Sequence, residues 1–131
     1  MHESFEVVIV GGGAAGITVA ATLIRKNPYT KICVIEPSEV HYYQPALTLV
    51  GAGIQTVAQN SKLEAQVMPK GVTWVKDKVV SFEPEVNSVT TSAGSHINYG
   101  YLVVCAGLTS DWGKIDGLNE TLGKKRGQFQ L

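Results

Sequence analysis

The sequence predicts an α/β fold in which a parallel sheet is joined to an antiparallel β-meander, and three observations point to it. A β-rich apolar run, Phe5 to Val10, leads through Gly11, Gly12 and Gly13 into a helical pattern. A second apolar run, Lys31 to Glu36, follows that helix. Further along, three short segments are parted by turn residues, and a last apolar run closes the series.

Phe5-Glu6-Val7-Val8-Ile9-Val10 is nearly continuous in apolar character, as expected of a central parallel strand covered on both faces. From Ala14 to Lys26, Ile17, Ala20, Ala21 and Ile24 recur at i, i+3, i+4 and i+7, a stripe that can lie on a sheet. Asn27-Pro28 ends the helix, and Lys31 to Glu36 forms the second strand. A strand-helix-strand crossover of this kind is almost always right-handed, with its strands parallel, so the sheet is expected to be Rossmann-like.

Pro37 to Val50 reads as a long aromatic loop, and Gly51 to Lys70 is poorly periodic, with part of a helix around Lys62 to Val67. Val72 to Val75 is expected as a third strand. Lys78 to Phe82, Ser88 to Ser92 and His96 to Tyr101 form the meander, because turn residues separate them. Leu102 to Ala106 then returns as a separate parallel strand, closed by Gly107.

A chain of 131 residues, 44% hydrophobic and 17% charged, fits one globular domain. Eleven Lys plus Arg balance eleven Asp plus Glu, so no basic field gathers phosphate backbones, and nucleic acid is not an expected partner. No apolar run reaches the roughly 20 residues that span a bilayer. Met1 to Ser4 leads directly into the first strand, and no signal or transit peptide is expected. Cys33 and Cys105 both sit in apolar strand-like runs and are expected to be buried and inert. If their strands flank the first one, two strand spacings hold the thiols about 9.6 Å apart, beyond the roughly 7 Å reach of a disulfide.

Gly11-x-Gly13-x-x-Gly16 opens the helix directly after a strand, where backbone N–H groups and the positive helix end can hold a pyrophosphate. Gly11 permits the tight turn, Gly13 lets phosphates approach, and Gly16 lets the helix pack close to the strand. Ala14 and Ala15 offer further amides. Glu36 lies twenty residues past Gly16 at the end of the second strand, the position that meets the adenosine ribose. A carboxylate there accepts from ribose hydroxyls and repels a 2′-phosphate, which disfavours NADP and leaves FAD and NAD. Tyr42 and Tyr43 are read as packing or loop-anchoring residues and Trp74 and Trp112 as apolar burial. His41 shows no carboxylate partner in the sequence.

Four stretches resemble the sulfide:quinone oxidoreductases. They are Val8 to Thr18, Glu36 to Pro45, Leu49 to Gly53 and Tyr99 to Gly107. The narrowest match, His41-Tyr42-Tyr43-Gln44-Pro45 with Leu49-Val50-Gly51-Ala52-Gly53, resembles the mitochondrial-type branch. The resemblance implies the N-terminal part of a two-dinucleotide-fold flavoprotein with FAD as cofactor. It further implies that Gln44 contacts FAD, that Val79 presents backbone groups to the adenine, and that the strand end at Gly107 passes close to the cofactor.

Enzymes of that family oxidise sulfide through a cysteine disulfide beside the flavin and reduce a membrane quinone. Their redox cysteines lie downstream of the matched region, and Cys33 and Cys105 correspond to neither. Residues 1–118 are therefore expected to be an incomplete FAD-binding domain, and 119–131 an unaligned tail produced by truncation or a frame change near Gly123. Such a chain would bind FAD weakly, turn over no sulfide, and touch a membrane only through regions it lacks. A bacterial inner-membrane periphery is the expected location, with the mitochondrial inner membrane as the alternative. A type II NADH:quinone dehydrogenase and a catalytically dead nucleotide-binding remnant are the rival readings.

Overall fold

The computed structural model describes residues 2–121. The expected frame change at Gly123 and most of the tail at 119–131 lie outside the described residues.

Strand β1 (His2–Val10) is followed by helix α1 (Ala14–Lys26) and strand β2 (Ile32–Ile35). Next come β3 (Val40–Tyr42), a 3-10 turn (Gln44–Ala46), α2 (Leu47–Gly51), β4 (Ser61–Leu63) and α3 (Glu64–Val67). The strands β5 (Thr73–Val75), β6 (Val79–Glu83), β7 (Ser88–Thr91) and β8 (His96–Val104) follow, with α4 (Leu118–Thr121) beyond them.

Six strands form one sheet in the order β5-β2-β1-β8-β7-β6, and β3 and β4 form a small antiparallel pair of their own. Within the large sheet β5, β2, β1 and β8 run parallel, whereas β7 pairs antiparallel with β8 on one side and with β6 on the other. This is the Rossmann-like sheet with its meander, and β1 lies at the centre of the parallel part.

Successive side chains of a strand point to opposite faces, and β1 uses this to seed two cores. Val7 and Ile9 pack with Ile32, Val34 and Ala20 under α1. Val8 and Val10 pack with Cys33, Ile35, Val89 and Ile97 on the other face. Fully burying aliphatic side chains of this size contributes about 1.5–3 kcal/mol each.

The face of α1 that packs runs through Gly16, Val19, Ala20, Leu23 and Ile24, and Ala21, expected on the stripe, is exposed. The contact line shifts because Gly16 has no Cβ; one built there would overlap the Gly11 carbonyl, so the helix approaches most closely at this residue. Arg25 and Lys26 sit in the last turn, where cations favour the negative helix end.

Strand boundaries differ from expectation in the two central strands, β1 and β8. β1 begins at His2, since residues 2–4 pair with His96, Ile97 and Asn98. The segments His96–Tyr101 and Leu102–Ala106, read as two strands, are one strand, β8, which ends at Val104. It is parallel to β1 along its length, but its antiparallel pairing with β7 stops at Ser88 and Asn98. The β7 pairing is lost at Asn98, and β8 runs on through the change of residue pattern at Tyr101, which is not the end of a strand. Gly100 allows β1 to lie close, because a Cβ there would stand 3.0 Å from the Glu6 carbonyl oxygen.

The region read as a loop and an aperiodic stretch with part of a helix around Lys62 to Val67 contains β3, α2 and β4 besides α3, which falls within the expected helical part. A two-stranded pair three residues long offers no periodicity to detect. Among the described residues, no helix is long and apolar enough to cross a membrane.

Candidate functional site

Three strands finish side by side at the start of α1. The Gly11 amide donates to the Ile35 carbonyl at 2.9 Å and the Cys105 amide to the Val10 carbonyl at 2.7 Å, so β2 and β8 flank β1 to its last residue. The chain leaves β1 for β2 on one side, and β8 occupies the other. Ligands of open α/β sheets bind at such a reversal of strand order, beyond the carboxyl ends of the strands.

The glycines there serve different ends. Gly11 has φ +105°, and a Cβ on it would overlap the Cys105 carbonyl. Gly16 touches Gly11. Gly13 has φ −65° and ψ −176°, which any residue adopts, and nothing lies within 4 Å of where its Cβ would be. The first two glycines are required by the protein itself, while Gly13 leaves space that no protein atom uses.

That space belongs to a cavity of about 490 Å³. Its floor is Gly12, Gly13, Ala14 and Ala15; Glu36 and Ser38 wall one side, and Cys105, Ala106 and Gly107 another. His41, Tyr42, Gln44 and Glu64 close the remainder. The amides of the first helical turn have no acceptor within a helix, and in α1 no side chain caps them and no acid stands in that turn. They are available to an anion.

Glu36 continues β2 by one residue. Its amide donates to the Val75 carbonyl at 3.0 Å, and Trp74 Nε1 donates to its carbonyl at 2.9 Å, so the backbone is held from both directions. The carboxylate accepts from the Gly12 amide at 2.8 Å through Oε2 and from the Ser38 amide at 2.7 Å through Oε1. Each oxygen keeps a further lone pair for a ligand.

His41 has the carboxylate partner that the sequence did not reveal. Pairing of β3 with β4 sets His41 against Lys62 and brings Glu64, two residues further on, under the imidazole. His41 Nδ1 stands 3.1 Å from the Gly12 carbonyl oxygen and 3.3 Å from Glu64 Oε2. The Glu64 side chain is 1% exposed, and its Oε1 has no hydrogen-bond partner. Burial raises the Glu64 carboxyl above its ordinary value; His41 opposes the rise and the charge of Glu36 adds to it.

Six of the nine expected site residues line the cavity: Gly13, Ala14, Ala15, Glu36, Gln44 and Gly107. Gly11 and Gly16 lie beneath it, buried. Val79 stands apart on β6, half-buried against the core face that includes Val8 and Ile35. Tyr42 faces the cavity and Tyr43 is half-exposed, so neither packs as core; Ala46 is the buried residue of this segment. Cys105 also departs from expectation. It lies one residue beyond β8, half-buried at the cavity edge, whereas Cys33 is fully buried and its thiol is pushed up to about 12, by burial and then by the charge of Glu3. Both thiols are free, as expected. Sequence reasoning missed Gly12 and Glu64: the first falls on a variable position of the fingerprint, and the second carries no sequence signal.

Sheet order, glycine turn and the position of the cavity define a Rossmann-like α/β domain. The chain belongs to the pyridine nucleotide-disulphide oxidoreductase family, which matches residues 5–129. It is 51% identical over 120 residues to a mitochondrial sulfide:quinone oxidoreductase of Dictyostelium discoideum, a match covering 91% of this chain and 26% of that protein. The mouse mitochondrial sulfide:quinone oxidoreductase is 40% identical over 116 residues, covering 88% of this chain and 26% of the relative. The crystal structure of the Aquifex aeolicus sulfide:quinone oxidoreductase superposes with a TM-score of 0.73 at 31% identity, over 85% of this chain and 26% of that one. The chain thus spans about a quarter of the length of these relatives.

Proposed function

We propose that this chain supplies the FAD-binding portion of a sulfide:quinone oxidoreductase. The observation that carries the reading is the empty volume at Gly13, set between uncapped helix amides and the Glu36 carboxylate. A pyrophosphate fits the amides of Gly13, Ala14 and Ala15, and a ribose fits beside Glu36. The 51% identity to a sulfide:quinone oxidoreductase supports FAD over NAD.

On this reading the amides and the dipole of α1 neutralise the phosphates. Glu36 orients the ribose and repels a phosphate at its 2′ position. Gln44 and the strand end at Gly107, both in the cavity lining, would adjoin the cofactor, and the backbone of Val79, outside that lining, is assigned to the adenine by the family resemblance alone. Held by Gly13, Ala14, Ala15 and Glu36, FAD would supply two-electron chemistry between sulfide and a membrane quinone. Sulfide oxidation also requires a cysteine pair, which Cys33, buried under the sheet, and Cys105, at the cavity edge, do not form. Residues 1–118 therefore hold the cofactor without performing the donor chemistry; a membrane periphery, bacterial or mitochondrial, is in keeping with relatives that are mitochondrial sulfide:quinone oxidoreductases and a bacterial sulfide-quinone reductase.

The test is to titrate the purified chain with FAD and NAD, and to assay a full-length protein bearing it with sulfide and with NADH as donors. FAD binding, with sulfide-dependent quinone reduction by the full-length protein, is expected. NADH-dependent reduction without sulfide activity would transfer the assignment to the type II NADH:quinone dehydrogenases. Sulfide turnover by the 131-residue chain alone would contradict the separation of cofactor binding from donor chemistry.

A further inference from the structure

Every side of Gly12 is occupied by a charged or titratable side chain. Its N–H is held by Glu36 Oε2 at 2.8 Å, and its carbonyl oxygen lies 3.1 Å from His41 Nδ1. A Cβ on it would stand 2.5 Å from Glu64 Oε1 and 2.7 Å from Glu36 Cγ. A carbonyl oxygen only accepts, so Nδ1 carries the proton, and Glu64 Oε2 at 3.3 Å shares it. The Glu64 amide is itself anchored, donating to the Glu39 carbonyl at 2.8 Å.

On the reading that the cavity takes a dinucleotide, we propose that His41, held by Glu64, is a positioning residue that sets the orientation of the Gly12–Gly13 peptide for the pyrophosphate. The peptide plane is rigid and trans, so the Gly13 N–H points opposite to the Gly12 carbonyl. With the carbonyl fixed on His41, the Gly13 amide is turned away from the imidazole and cannot flip. Glycines have the freest backbones, and a Gly-Gly peptide without a tether would sample both orientations and bind phosphate in only one. The small sheet of β3 and β4 delivers His41 and Glu64 to this peptide from outside the strand-helix-strand unit, which explains why two short strands fold over the cavity.

Asparagine places a side-chain N–H close to the position of Nδ1, glutamine places it further out, and phenylalanine fills the ring volume without a donor. The experiment measures FAD and NAD dissociation constants for the chain and for its His41→Asn, His41→Gln and His41→Phe variants, with thermal melts and the ¹⁵N amide shift of Gly13 for each. His41→Phe should raise the dissociation constant about tenfold, the effect of one buried hydrogen bond, and His41→Asn should restore it to within about threefold. The Gly13 shift should move in the Phe variant and return in the Asn variant. If His41→Phe does not fold, the comparison of Asn with Gln decides, with Asn expected to bind more tightly.

A Phe variant that binds as the parent does, or an Asn variant no better than Phe or Gln, would assign His41 to packing and overturn the proposal. Parent protein that binds NAD but not FAD would end the flavin reading while the same variants decide the role of His41 on NAD. Binding of neither would overturn both.

Discussion

The Glu36 carboxylate grips the Gly12 amide at 2.8 Å, which joins the end of the second strand to the turn after the first. The acid therefore shapes the glycine turn as well as standing where a ribose would bind. Glu36→Ala removes both its amide contacts and its bonds to the sugar. Hydrogen bonds to charged groups contribute about 1.5–3 kcal/mol, so FAD affinity should fall about 10- to 100-fold by calorimetric titration. Undiminished affinity would remove the carboxylate from the site.

Gly13 and Gly16 should separate binding from folding. Gly13→Ala meets no protein atom within 4 Å and keeps an ordinary backbone, so its melting temperature should match the parent while FAD binding is largely lost. Gly16→Ala drives a methyl into the Gly11 carbonyl and should lower thermal stability by several degrees or prevent folding. Equal loss of stability in both variants would contradict the open space beside Gly13.

The two thiols should react unequally. With its thiol pushed up to about 12 and fully buried, Cys33 holds roughly one thiolate in ten thousand at pH 8 and should resist maleimide in the folded protein. Cys105, half-buried at the cavity edge, should be labelled, and FAD should slow that labelling. Peptide mass mapping with and without FAD checks both statements, and faster labelling of Cys33 would contradict them.

Glu64 makes stability depend on pH in a fixed direction. Its carboxyl is raised in the folded state, mainly by burial, so the folded protein holds that proton more firmly than the unfolded chain does. The resulting stability is complete below the ordinary value of 4.5 and declines as pH climbs from there through the folded value. Glu64→Gln carries no such dependence, so its melting temperature should gain on the parent's between pH 4 and pH 7. A constant difference across that range would show that Glu64 titrates normally.

The sequence made the strand-helix-strand unit legible because each part has a local signature: the run Phe5 to Val10, the glycines, and an acid twenty residues beyond Gly16. What it hid depends on partners distant in the chain. Gly12 looks like a filler residue until Glu36 and Glu64 are seen against it, and Glu64 looks like a surface acid until β4 delivers it beneath His41. The pattern break at Tyr101 misleads for a related reason, because β8 loses its β7 neighbour at Asn98 and still continues beside β1 through the break. Cys105 resembles a core residue since its apolar run extends two residues past the strand.

Among the described strands β1 is made first, yet one of its two neighbours in the sheet, β8, comes last. A nascent chain leaving a ribosome would carry β1 with β2 on one flank and bare hydrogen-bonding groups on the other until the meander ending in β8 had emerged. Contacts so distant in sequence form slowly. For that interval the glycine turn would lack the Cys105 carbonyl that packs against Gly11, and early capture of a nucleotide would have to wait for the final strand.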